Sequence, residues 1–438
     1  MKKSFTVIMG IVLVLTIVLS GCSAKTAQQD AKQKDSGNAA SATTGAKDAK
    51  KDAKPITLKM LHFVPYPKGV LQKFHEKYPN ITVESEQADS ANYNTLVRSR
   101  LVSKSEIDLV GLHTGGDEFG FAAKDNALLD ITGAPYLGNF MKEAVDKGTY
   151  NGKVLGFTQG TYAIGVFYNK DLFAKLNLQV PKTWEEFLSV SEAIKKSETA
   201  PLVLSAKDSW TTLYYHMSQE SQIEANNPGF FGKMKSGESK WTDPKLLDVY
   251  NKIGVLNKNG YFLKGSTGTS YDQAVAAFQK GQAAMWIMGN WALDKFPEDF
   301  KQFKVGAFAF PFNKSGEKLS APIVSDGVLS GIAWTKHPEE VKKFLEFAAL
   351  PEIAQIQSKE QKIFSTVKGG TAEFHPLAKE WLPLFDIGVS DSTTLYTKGV
   401  YNEIGNQIQK MLVEPSWSGD KVVDELQKTQ EKDNASAK

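Results

Sequence analysis

Two tryptophans each follow closely on a short apolar run that reads as a strand. Leu202–Ser205 precedes Asp208-Ser209-Trp210, and Ala283–Met288 runs into Gly289-Asn290-Trp291. A third run, Ile107–Gly111, opens into His113-Thr114-Gly115-Gly116-Asp117, which gathers an imidazole, a hydroxyl, free amides and a carboxylate. Asp326 follows strand-like Pro322–Ser325, and Phe63 follows the alternation of Ile56, Leu58 and Met60. Indole faces suit a neutral, flat-faced ligand, and a carboxylate suits paired donors on its rim. That is the chemistry of recognition. Alternatives stay open: Asp117 could instead cap a helix starting near Glu118, and Trp241 competes with Trp210 as the stacking residue. Tyr396 and Tyr401 are weaker candidates, and Asp108 reads as structural. Motifs for bond breaking are missing. His75-Glu76 lacks a second histidine four residues on, and there is no Gly-x-Ser-x-Gly elbow or phosphate-cradling Gly-Lys-Ser/Thr loop. Carboxylates are plentiful, so sequence alone does not forbid a glycosidase working with two of them.

The elements that must position these residues alternate in kind. Ile56 to Met60 reads as a strand, and Val70, Leu71, Phe74 and Tyr78 follow at helical spacing until Pro79-Asn80 stops them. Ile81 and Val83 give a second strand; Tyr93, Leu96, Val97, Arg100 and Leu101 form a helix face before Ile107–Gly111. Such alternation predicts a parallel sheet with right-handed crossovers and a site at the strands' carboxyl ends. A second unit starts near Gly165. Its Val166–Tyr168 strand leads to a helix with Thr183 as N-cap and Glu186 completing a capping box. Phe187, Val190 and Ile194 are its buried face, and Tyr271, Val275 and Phe278 line a later helix ended by Gly281.

Composition narrows the classes. The 438 residues carry 52 basic and 49 acidic side chains, interspersed, for a net charge of +3. No basic stripe argues for nucleic acid. One cysteine rules out an intrachain disulfide, so a packed core must hold the fold. The 8 Trp, 14 Tyr and 25 Phe exceed what a site needs, and a core absorbs most of them.

Lys2 and Lys3 precede an apolar run, Phe5 to Leu19, which ends in Leu19-Ser20-Gly21-Cys22. That is the layout of a secretory signal, and the run is shorter than the roughly 20 residues a bilayer-spanning helix needs. Its end resembles a bacterial lipobox, which implies lipidation of Cys22 and removal of residues 1–21. From Ser23 to Lys54 no Val, Ile, Leu, Met, Phe, Tyr or Trp occurs, so residues 22–54 read as a disordered tether. The 32 residues from Ser23 to Lys54 would reach about 30 Å as a flexible coil. The polar end, 431–438, reads as a frayed tail.

Further along, an ordered set of motifs appears. It comprises Phe74-His75-Glu76-Lys77-Tyr78-Pro79-Asn80-Ile81-Thr82-Val83, Leu129-Asp130-Ile131-Thr132, Tyr150-Asn151-Gly152-Lys153-Val154-Leu155-Gly156-Phe157, Gly165-Val166-Phe167-Tyr168-Asn169-Lys170-Asp171-Leu172-Phe173, Pro181-Lys182-Thr183-Trp184-Glu185-Glu186-Phe187, and Ala277-Phe278-Gln279-Lys280-Gly281-Gln282-Ala283-Ala284-Met285 continuing to Gly289-Asn290-Trp291. From about residue 55 to 430 the chain resembles the extracellular solute-binding proteins of sugar ABC importers, family 1, whose best-known member is maltose-binding protein. It departs from them at Ile107-Asp108, where Pro-Asp is usual, and at Ser325-Asp326-Gly327, where paired glycines are common.

The resemblance implies an α/β, two-lobed periplasmic-binding-protein fold of type II-like form, with two parallel-type sheets flanked by helices and joined by a multi-crossing hinge. Lobe one would hold 55–161 and 310–350; lobe two would hold 162–309 and 351–430. It further implies a non-catalytic receptor, without cofactor or metal, that captures a carbohydrate, expected to be an oligosaccharide, and delivers it to ABC permease subunits. The protein would be a monomer tethered to the outer face of the cell membrane through Cys22. In family terms Trp291 stacks on the sugar and Tyr162 sits at the hinge, where a residue is offered to the ligand; the reading of the residues adds Trp210, His113, Thr114, Asp117, Asp326 and Phe63. A polyamine, phosphate ester or peptide on the same fold is the competing ligand reading.

Overall fold

The computed structural model describes residues 54–88, 90–114, 118–391 and 396–436; Cys22 and the expected tether up to Ala53 lie outside them. Twelve strands organise the described chain: β1 (Ile56–His62), β2 (Ile81–Gln87), β3 (Leu109–Leu112), a hairpin of β4 (Thr149–Tyr150) and β5 (Lys153–Val154), β6 (Phe157–Asn169), β7 (Ala200–Val203), β8 (Ala283–Gly289), β9 (Val305–Phe308), β10 (Ala321–Gly331), β11 (Phe364–Ser365) and β12 (Gly388–Ser390).

β1 lies between β2 and β3 and is parallel to both, as the alternation of strand and helix predicts. β7 and β8 make the corresponding parallel pair of the second unit. Between them run two long strands of opposite direction, giving the order β2-β1-β3-β10-β6-β8-β7. The sheet is therefore mixed, parallel toward its edges and antiparallel through its middle.

The middle strands are the hinge. Along β6, residues Phe157 to Ala163 pair with β10, and from Ile164 to Tyr168 the partner becomes β8. The switch falls one residue before Gly165, near which the second unit is expected to start. β10 makes the reverse passage. Val328–Gly331 pair with β3, whereas Ala321–Ile323 pair with β12. β11 adds a third crossing by pairing with Gly160 and Thr161.

Packing moves two lobe boundaries. Phe310, Phe312, Ala321 and Ile323 bury themselves in the second unit's cores, although 310–350 reads as lobe one from sequence. The helix Pro351–Gln361 places Ile353 and Ala354 in the first unit's core with Phe74, Phe157 and Phe344, although 351–430 reads as lobe two. A strand that is hydrogen-bonded to both units carries no compositional break where its allegiance changes. The tail differs too. The helix Gly419–Ser436 runs through the expected frayed segment, held by i,i+4 pairs such as Gln427–Glu431 and by Asp433, whose carboxylate accepts the Gly399 N–H at 2.8 Å.

Local rules explain the element ends. Thr183 Oγ1 accepts the Glu186 N–H at 3.2 Å, the N-cap expected for the helix Trp184–Lys196. Glu186 does not close the box on Thr183; its carboxylate takes the Lys182 N–H one residue upstream, at 2.6 Å. A complete capping box occurs instead at Ser270 and Gln273, opening the helix Tyr271–Gln279. Thr183→Ala is expected to lower stability by about 1 kcal/mol, read as a lower urea midpoint with unchanged slope.

Candidate functional site

On the first unit, β1 and β3 deliver aromatic and polar groups to the same edge. The Phe63 ring meets His62 at 4.4 Å and His113 at 4.1 Å between centroids, and Tyr93 meets its edge at 5.8 Å. The His62 ring is stacked on it at 25° and the His113 ring tilted at 36°, so Phe63 is engaged by both imidazoles. Phe63 packs against His113 and holds its ring in place. Gly327, at φ +78°, lies under the same ring; a Cβ there would stand 2.8 Å from Phe63 Cζ. Backbone conformation and ring packing both demand glycine at this position.

Asp326 organises the polar groups. Its Oδ2 accepts from His113 Nδ1 at 2.6 Å, and its Oδ1 accepts from the Thr114 N–H at 2.7 Å and the Thr114 hydroxyl at 3.1 Å. Glu118, buried, accepts the His113 N–H at 3.0 Å. Burial disfavours charge on His113, but the Asp326 carboxylate outweighs it and lifts the imidazole to about 9. Burial likewise opposes the Asp326 charge, and His113 together with the Thr114 and Gly327 amides holds it below the usual carboxylate range. The neighbouring His62 is pushed down to about 4 by burial. One fixed ion pair thus sits beside a neutral imidazole. A protonated His113 carries a second N–H at Nε2 that can serve a ligand oxygen.

The pair makes stability depend on pH. His113 is charged more readily in the fold than at its ordinary 6.5, so its contribution is complete below that pH and disappears as pH rises through about 9. Asp326 acts in the opposite sense, its contribution fading as pH falls below the ordinary 3.8. Since both side chains keep some solvent contact (31% and 28%), the alkaline loss is expected to be on the order of 2 kcal/mol. Urea midpoints between pH 6 and 10 measure it, with His113→Gln as the reference.

The second unit supplies an aromatic wall. Trp291 begins just past β8, where the buried Asn290 ties the strand end to the hinge by accepting the Ala163 N–H at 2.7 Å. The indole folds back over Gly289, where a Cβ would stand 1.9 Å from the ring. Tyr162 meets Trp291 edge-on at 5.5 Å, and Tyr214 meets it at 5.3 Å. Tyr214 also touches Trp210 at 5.9 Å, and Trp210 touches Tyr271 at 5.2 Å. Trp210 sits in the first turn of the helix Ser209–Asn226, not in a loop, and is 43% exposed. Asp208 just before it accepts the Tyr271 N–H at 2.7 Å, linking two helix starts.

The two groups are electrostatically coupled. Burial raises the hydroxyls of Tyr162, Tyr214 and Tyr401 above their ordinary value, and the Asp326 charge adds to all three shifts. The carboxylate therefore lies within electrostatic reach of Tyr162 and Tyr214 in the wall. Tyr214, which the sequence pattern does not single out, and Tyr271, which it places on a helix face, complete the wall. Tyr214 stands one helical turn beyond Trp210, a spacing that marks it. Trp241 is fully buried, packed on Tyr396 at 5.1 Å, and offers no face. Tyr396 bonds to His216 in the same interior at 3.1 Å. Asp108 is structural, accepting from the Lys59 N–H and the Thr335 hydroxyl. Asp117 lies outside the described residues. Among those residues, no group of three or more His, Cys, Asp or Glu side chains is placed to hold a metal ion.

Residues 63–355 match the family described as bacterial extracellular solute-binding protein. The chain belongs to that family. A relative of this solute-binding protein is the multiple sugar-binding protein of Streptococcus mutans, 28% identical over 283 residues, covering 64% of this chain and 67% of that one. An uncharacterised ABC transporter extracellular-binding protein of Pyrococcus horikoshii is 24% identical over 351 residues, 78% of each chain. Among solved structures, a solute-binding protein in complex with raffinose superposes with a TM-score of 0.72 at 24% identity, over 85% of this chain and 98% of that one. A chitin oligosaccharide binding protein gives the same TM-score at 23% identity, over 85% and 95%. At these identities the solved structures share the fold with this solute-binding protein, a two-lobed α/β architecture.

Proposed function

We propose that this protein captures a carbohydrate, an oligosaccharide in particular, between its lobes and delivers it unchanged to ABC permease subunits. The observation that carries the reading is the aromatic run Tyr162, Trp291, Tyr214 and Trp210, two of whose tyrosines lie within electrostatic reach of the His113–Asp326–Thr114 cluster. Indole and phenol rings take the C–H faces of pyranose units, and the rim hydroxyls meet the imidazolium, the Thr114 hydroxyl and the remaining lone pairs of Asp326. The names of relatives that bind sugars support the class. Capture favours the closed form because ligand contacts come from both lobes, and the ligand shifts the balance only by its differential affinity for the two states. Residues 1–21 are read as a signal and Cys22 as the lipidated anchor on the outer face of the membrane. Among the described residues no helix is long and apolar enough to cross a bilayer.

A thermal-shift screen with raffinose, chitin oligosaccharides, xylo-oligosaccharides and their monomers tests the reading. One sugar class at a hundredfold excess over its Kd is expected to add about 2.7 kcal/mol of stability, with the sugar recovered intact. Turnover of the sugar would favour the enzyme reading. A shift by a polyamine, phosphate ester or peptide, with none by sugars, would favour the competing ligand class.

A further inference from the structure

A buried ion pair lies outside the hydrogen-bonded Asp326 cluster, although the Asp326 charge reaches its lysine. Lys147 Nζ and Asp391 Oδ2 are 2.9 Å apart, with side chains only 8% and 2% exposed. Lys147 ends the helix Lys142–Lys147, whose Ala144 packs in the first lobe's core with Phe140 and Phe157. Asp391 directly follows β12, which pairs with Ala321–Ile323, the stretch of β10 that packs in the second lobe's core. Its own N–H donates to the Ile323 carbonyl at 2.9 Å. β12 also lies against the helix Ser209–Asn226, which carries Trp210 and Tyr214. A second contact runs alongside: the Ser390 hydroxyl donates to Glu143 Oε1 at 2.8 Å. Residues 143 and 147 are neighbours on one helix face, and 390 and 391 are adjacent in the chain. Two side-chain contacts therefore tie a first-lobe helix to the edge strand that braces the aromatic wall.

A buried ion pair contributes little net stability, because desolvating two charges offsets their attraction, whereas its geometry is exacting. We propose that Lys147 and Asp391, reinforced by Glu143 and Ser390, form a clasp across the hinge that limits how far the lobes open. They are positioning residues: they act on capture through lobe geometry and do not touch the ligand. The inference rests on the two-lobe capture reading, but its test needs no sugar.

Small-angle X-ray scattering of the ligand-free chain reads the opening directly. Lys147→Met/Asp391→Leu, which removes both charges together, and Asp391→Asn, which keeps the shape, are expected to raise the radius of gyration. Lys147→Arg, which keeps the charge, is expected to restore the wild-type value. Cooperative melting shows that each variant is folded. An unchanged radius in a folded charge-removing variant overturns the proposal. Loss of cooperative melting in both charge-removing variants also overturns it, since the pair then serves folding itself. Failure of the sugar screen would leave the scattering result standing, so the two readings fail separately.

Discussion

Trp291→Ala is expected to weaken oligosaccharide binding by about thirtyfold or more, since truncating an anchoring aromatic usually costs at least about 2 kcal/mol. The indole is held on two sides by Tyr162 and Tyr214 and rests on Gly289, so its orientation precedes the ligand. Preorganisation of this kind leaves little to order on binding, and removing the ring loses contact area and rigidity together. Trp210, more exposed and in ring contact with Tyr214 and Tyr271, is expected to show a smaller loss. Trp241→Phe is the control. Its indole is fully buried against Tyr396 and His216, so affinity should hold while stability falls. Isothermal titration with the sugar found in the screen separates the three. Equal losses at Trp291 and Trp241 would remove the wall from the binding site.

The contrast between those two tryptophans shows what the residue pattern carries. Strand ends were legible: Trp291 follows a seven-residue apolar run whose every side chain is buried, and the wall stands where such runs end. The parallel set of β1, β2 and β3 was legible for the same reason, because alternation and helical spacing are local. Trp241 and Trp210 look alike in sequence, and only long-range packing sends one inward and leaves the other at a helix start. The lobe boundaries were illegible because β10 serves both lobes with one continuous ladder. The pairing of His113 with Asp326 spans 213 positions. No local rule connects them; the antiparallel register of β10 against β3 does.

That pairing sets up the second large effect. Asp326→Ala is expected to lower stability by about 3 kcal/mol and to abolish detectable sugar binding. The substitution removes three acceptor contacts at once and strands the His113 imidazole, which burial then drives toward its neutral form. Its titration, followed by NMR, should fall from about 9 to the ordinary 6.5 or below. Thr114 loses the partner of its N–H and of its hydroxyl, so the loop beyond β3 loosens where the ligand would be met. Asp326→Asn divides the effect. Its amide oxygen still accepts from Thr114, so the loop should stay ordered, while His113 loses the charge that raised it. Binding that survives in the Asn variant but not the Ala variant would assign capture to loop order. Binding lost in both would assign it to the ion pair. An unmoved His113 titration in either variant would show that the imidazole is held by something other than Asp326.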